Sequence, residues 1–229
     1  MGSVMFMLPV CAFRYADDTS SFVVDSSPVS LRQWLQQRTD GLCSLVLKVA
    51  INSLLDKSAV MVFRSRKMPT IHFNISVASA TIPQVSSHCH LGVIFNDTLT
   101  WSDHVTHVIS KASAKIGFLR WLSKRLDALV LRELFLCCIR PAIEYASIVW
   151  SGLSASDIKR LERCNWSAAR LIARISPSAD VSQEHLLAHA GIQSLQKRRE
   201  AAQSMFCCRG LAGCLPAHLQ SAVSAWLPG

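Results

Sequence analysis

A chain of 229 residues, half of them hydrophobic and 17% charged, can bury one large core or two smaller ones, which excludes disorder along its whole length. The formal charge of +9 is unevenly spread: residues 1–100 hold 8 Lys+Arg against 6 Asp+Glu, and residues 101–229 hold 16 against 9. A basic second part suits contact with phosphates and equally suits an ordinary solvated surface.

In chain order, the opening "MGSVMFMLPVCAF" is apolar but lacks a basic leader and is broken by Pro9, so it does not read as a secretory signal. Phe6 stands where the myristoylation pattern needs Ser or Thr. Residues 10–15 and 20–25 are β-prone and flank a polar tip with Asp17 and Asp18, the sequence form of a hairpin. Pro28 and Ser30 open a helix through "LRQWLQQRTDGLCSLVLKVAINSLL", which Gly41 can divide in two. After Lys57, "AVMVF", "IHFNISV" and "HLGVIF" read as strands separated by Pro69 and Pro83, so residues 1–100 read as α+β.

From Trp101 the period becomes helical. Val105, Val108, Ile109, Ala112, Ile116 and Leu119 form one stripe, with Lys111 and Lys115 off it. "LDALVLRELFLCCIRPAIEYASIVW" is apolar on most sides and reads as a central helix, with Pro141 as a kink or an end. A third helix follows "SASD", capped by Ser154 or Ser156, and runs to about Arg174, so residues 101–175 read as a helical bundle. Residues 176–229 read as two short helices and a loosely held tail punctuated by Gly210, Gly213, Pro216 and Pro228. No uncharged apolar run reaches the length of a membrane span, so no membrane partner is expected. Nine cysteines, mostly within apolar helical patterns, read as small buried thiols in a reducing, intracellular setting, cytoplasmic or nuclear.

Three groupings bear on chemistry. Most adjacent aspartates are turn residues, yet strands on both sides place Asp17 and Asp18 where two carboxylates can share a divalent cation; Mg²⁺ is held by one or two carboxylates together with substrate phosphates. On the third helix Lys159, Arg163, Arg170 and Arg174 fall at offsets 0, 4, 11 and 15 and share an arc of roughly 60°. That is either a solvated face or a rail for backbone phosphates. His88, Cys89 and His90 with His104 and His107, and Cys207 and Cys208 with Cys214 and His218, lack the paired C-x₂₋₄-C element, so no zinc is expected.

"YADD" between two apolar strands resembles the catalytic hairpin of reverse transcriptases, in particular the non-LTR (LINE-type) retrotransposon branch. "HLGVIFNDTLTWSDHVTHVISKASAKIGFLRWL" is similar to that family's strand and first thumb helix through Leu91, Gly92, Trp101, His104, Lys111 and Ala112. "LRELFLCCIRPAIEYASIVW" resembles the next helix through Arg140, Pro141, Glu144, Tyr145 and Trp150. "LERCNWSAARLIAR" resembles the one after through Leu161, Glu162, Ala169, Arg170 and Ile172. "LLDKSAVMVF" matches the lysine segment with Lys57 and Ser58, and "GIQSLQKRREAA" has a counterpart carried by Gly191, Leu195, Arg198 and Arg199.

The resemblance implies a partial polymerase palm over residues 1–100, a helical thumb over 101–175 and a helical extension over 176–229. It also implies an RNA-directed DNA polymerase, a nucleotidyltransferase acting on an RNA template and a DNA primer with two Mg²⁺ ions. Asp17 is then a metal ligand with Asp18 beside it, Lys57 assists nucleotide binding or protonates the leaving group, and Leu91–Phe95 supports the primer end. Lys111 and Lys115, with the four cations of the third helix, would meet nucleic acid. The family's site needs a further aspartate from an earlier palm strand, and none of the sixteen residues before Asp17 is acidic. Asp25 lies seven residues beyond Asp18, more than about 20 Å along an extended strand, and Asp56 and Asp97 have other places in the pattern. The expectation is a fragment inactive alone. Two alternatives stand beside it, a catalytically silent nucleic-acid-binding module and a small helical interaction protein without a nucleic-acid role.

Overall fold

The computed structural model describes residues 11–15, 18–46, 58–77, 80–217 and 219–220. They belong to two units, residues 1–99 and 100–229, and mix helices with short antiparallel hairpins in an α+β arrangement.

In the first unit, β1 (Cys11–Tyr15) and β2 (Asp18–Phe22) pair antiparallel with Tyr15 opposite Asp18, so the outgoing strand ends at Phe22, short of the expected residue 25. Helix α1 (Pro28–Val46) starts with proline at its first position, where the missing N–H costs nothing, and continues through Gly41 without the expected break. Two more hairpins follow, β3 (Ile75–Val77) with β4 (Ala80–Ile82) and β5 (Ser87–His90) with β6 (Val93–Asn96). The segment read as one strand, "HLGVIF", is thus a turn between two strands. Leu91 (φ 47°) and Gly92 (φ 78°) both take the left-handed conformation that a two-residue hairpin turn demands. "AVMVF" contributes only a single parallel bridge, Val60 with Gln84.

Among the described residues of this unit a core cluster forms from Phe73, Ile75 and Ile82, packed by Leu31 and Leu35 of α1 and by Val60, Val62 and Ile71, and Val93 of β6 is buried as well. Among the described residues the sheets are two-stranded, so backbone groups at their edges need other partners, and side-chain amides supply some of them. Gln36 donates to the Ser76 carbonyl (2.8 Å) and accepts from the Ser76 amide (3.2 Å). Gln84 likewise accepts from the Phe73 amide (2.8 Å) and donates to the Ile71 carbonyl (2.7 Å).

The second unit is helical: α2 (Ser102–Leu122), α3 (Ala128–Leu134), a π turn (Phe135–Ile139), α4 (Arg140–Glu144), α5 (Ala155–Ile172), α6 (Gln183–Ala190) and α7 (Leu195–Leu211). Side chains of Asp127, Ser154, Ser182 and Ser194 each accept from an amide in the first turn that follows, capping α3, α5, α6 and α7. On α2 the buried face is His104, Val105, Val108, Ala112, Ile116 and Leu119, the expected stripe with His104 in place of the half-buried Ile109.

The central helix departs from expectation. Its buried residues, Leu131, Phe135, Ile139 and Ile143, recur every four positions, a spacing that drifts by about 40° per repeat on a helix of 3.6 residues per turn. The π turn between them, with its longer i→i+5 bonds, takes up part of that drift and ends next to Pro141, which has no N–H to give. The helix is not apolar-buried on most sides: Leu129, Val130, Cys137 and Cys138 are exposed. Cysteine burial fails more widely, since among the described thiols only Cys164 is buried and Cys89, Cys137, Cys138, Cys207, Cys208 and Cys214 face solvent. Helices packed on one face leave an apolar pattern on the other uncovered. Among the described residues no helix is long and apolar enough to cross a membrane.

Candidate nucleic-acid interface

Small side chains let α2 and α5 run close together: Ala112 on one, and Ala168 and Ala169 on the other, are buried to 1% exposure or less. Between the two helices a groove of about 410 Å³ opens. Ile109, Ile116 and Cys164 form its apolar lining, and Arg120, Arg160 and Arg163 bring three guanidinium groups to it. The groove is open at Gly117, where an added Cβ would meet no atom within 4 Å.

The three arginines differ in what holds them. Arg160 donates to Asp157 (2.9 Å) and to the Thr106 hydroxyl (2.7 Å), which links α5 to α2. Its anchor Asp157 also accepts from Ser154 (2.7 Å) and Ser102 (2.8 Å). Burial acts to raise the Asp157 carboxyl, but the hydrogen bonds from Ser154, Ser102 and Arg160 outweigh it and hold the group below its ordinary value. The guanidinium groups of Arg120 and Arg163 make no hydrogen bond or ion pair among the described residues and are free to meet an anion. Burial raises the Cys164 thiol, so it stays protonated and unreactive.

The cations read from sequence separate into two sets. Lys159 and Arg163 are exposed on α5. Arg170 instead donates to the carbonyls of Ser176 (2.6 Å) and Ala179 (3.3 Å), closing the loop after α5. The helix ends at Ile172, and Arg174 lies beyond it with φ 55°, donating to the Leu126 carbonyl (2.6 Å). On α2, Lys111 is exposed, while Lys115 gives its ammonium to the Cys138 carbonyl (2.8 Å). Sequence reading missed Arg120 and Arg160, whose place in the groove depends on how α2 and α5 cross.

Asp17 and Lys57 lie outside the described residues; of Asp18 only the backbone, at the start of β2, is described. Of the other carboxylates weighed as a third metal ligand, Asp56 also lies outside the described residues, and Asp25 and Asp97 have partners of their own. Asp25 accepts from the Ser27 amide (2.8 Å) ahead of α1, and Asp97 pairs with Arg64 (2.9 Å). Among the described residues no three His, Cys, Asp or Glu groups stand together to hold a metal ion. Asp17, the Asp18 side chain and Lys57 are outside that set, and no catalytic step is assigned to them.

Many residues that carry the family resemblance tie helices together. Glu144 pairs with Arg198 through both carboxylate oxygens, the outer contact at 2.9 Å. Glu162 accepts from the Gln196 amide (2.9 Å) at the start of α7 and from Asn165 (3.2 Å). Trp150 is fully buried, with His104 edge-on at 4.8 Å and the Arg199 guanidinium 3.7 Å over its ring.

No model of a protein family matches the chain, and no solved structure matches it. Among curated proteins it is similar to a probable RNA-directed DNA polymerase from transposon X-element of Drosophila melanogaster, 26% identical over 127 residues, which is 54% of this chain. The matched stretch is 14% of that relative's length, so the similarity is distant and covers a small part of a much longer protein.

Proposed function

We propose that the chain is the C-terminal palm and thumb part of a LINE-type reverse transcriptase, that its second unit holds nucleic acid by the phosphate backbone, and that it does not polymerise alone. The groove between α2 and α5 carries this reading: Arg120 and Arg163, which have no hydrogen bond or ion pair among the described residues, line it together with a third guanidinium that is anchored across the helices. Arginines without protein partners on a rigid helical frame suit backbone phosphates, and contacts of this kind carry no base sequence. Lys159 adds an exposed ammonium on α5, and Lys111 another on a different side of α2, while Lys115 donates to the Cys138 carbonyl. The distant similarity to a transposon RNA-directed DNA polymerase supports an RNA template and DNA primer as the partners.

In the reading by resemblance, Asp17 and Asp18 would hold Mg²⁺, which in polymerases activates the primer hydroxyl and binds the nucleotide's phosphates. The alternative reading is a silent binding module in which the acidic pair does no chemistry. Primer extension separates the two. The purified chain, given primer–template, nucleotides and Mg²⁺, is expected to add none, and Asp17→Ala to behave identically. Extension by the unaltered chain that disappears in Asp17→Ala would contradict this.

A further inference from the structure

The outward side of α2 carries aromatic rings that the helical core does not use. Phe118 is 62% and Trp121 51% exposed, and the two rings stack with centroids 5.8 Å and planes 17° apart. Arg125 lays its guanidinium 4.2 Å from the Trp121 ring centre. At 100° per residue Lys111, Phe118 and Trp121 fall within roughly an 80° sector, with Lys111 about two turns, or 10 Å, before Phe118. Residues 111–126 contain Lys111, Lys115, Arg120, Lys124 and Arg125 and no Asp or Glu. Exposed flat rings on a stretch whose charges, up to the Asp127 that caps the next helix, are all positive suit an occupant that is anionic and has a flat π-face of its own. An acidic peptide satisfies the first condition only.

We propose that Phe118, Trp121 and Arg125 form a shelf on which an unpaired nucleobase stacks, its strand held by phosphate contacts to Lys111 and Lys124 on either side. This rests on the nucleic-acid reading above and adds a distinction to it. The groove meets phosphates whether or not the bases are paired, whereas the shelf takes only a base that has left its stack. Single strands and duplex ends with an overhang are therefore the substrates it selects.

The test compares the full chain binding a labelled 12-nucleotide oligouridine with an abasic strand of the same length and charge. The unaltered chain is expected to hold the base-bearing strand about tenfold or more tighter. Phe118→Ala/Trp121→Ala abolishes that ratio while leaving abasic binding within about twofold, and so does Phe118→Leu/Trp121→Leu, which keeps apolar bulk without a flat ring. Equal affinity for both strands in the unaltered chain, or a ratio that survives both double variants, overturns the shelf alone. A concentration-dependent dimer that the alanine pair dissolves, with no ratio between the strands, also overturns it and assigns the face to a second copy. Binding of neither strand overturns the shelf together with the reading it rests on.

Discussion

His104 illustrates how a residue chosen for its place in a pattern acquires a different physical role. It is 2% exposed, edge-on to Trp150, and burial lowers its pKa, with the positive charges of His107, Arg199 and Lys111 adding to the effect. The folded state therefore favours the neutral ring, and the unfolded chain takes up a proton first. Stability from neutral His104 is complete above the ordinary value of 6.5 and is lost as pH falls through 6.5 toward the lower folded value. Melting followed between about pH 7.5 and 5 is expected to show this decline, and His104→Phe, which keeps the edge-on packing, to flatten it. An equal slope in the variant would place the titration elsewhere. The sequence placed His104 in a family position but gave no sign of burial, because its own helix stripe is defined by aliphatic residues and the aromatic partner lies 46 residues on. Arg199 was hidden for the same reason: over Trp150 and 8% exposed, its pKa is pushed down to about 10, chiefly by burial, against the pull of Glu144 and Glu162.

At the scale of elements, two glycines make opposite predictions. Gly117 lies inside α2 with open space where a Cβ would go, so Gly117→Ala is expected to stabilise by roughly 0.5–1 kcal/mol in chemical denaturation. Gly191 ends α6 with φ 64°, and a Cβ there would stand 3.0 Å from the Arg132 Nε, which donates to the Gly191 carbonyl (2.9 Å). Gly191→Ala is expected to cost about 1 kcal/mol or more. The 3.6-residue stripe of α2 and the Ser154 cap were legible because each is a local pattern. The turn at Leu91 was not, since leucine disfavours positive φ and only pairing of the flanking strands imposes it. The π turn was equally hidden, because a stripe of every fourth residue reads as ordinary helix until the neighbours that demand it are known.

For the whole molecule, the resemblance and the structure lead to different residues. Glu144, Glu162, Trp150, Arg170 and Arg198 carry much of the family pattern in the second unit, and they serve chiefly to hold helices together. The cations assigned here to a partner, Arg120 and Arg163 in the groove and Lys159 and Lys111 on exposed faces, are mostly outside that pattern. The framework was therefore legible from sequence, as were Lys111, Lys159 and Arg163, while Arg120 and Arg160 were not, since a groove exists only once two helices have crossed. Salt dependence of binding to a primer–template duplex tests the claim that this groove holds phosphates. Each phosphate contact contributes about 0.9 to the slope of log affinity against log salt. Arg120→Gln/Arg163→Gln is expected to flatten the slope by about two units while affinity stays indifferent to base sequence. A slope unchanged by the pair of substitutions would contradict the account.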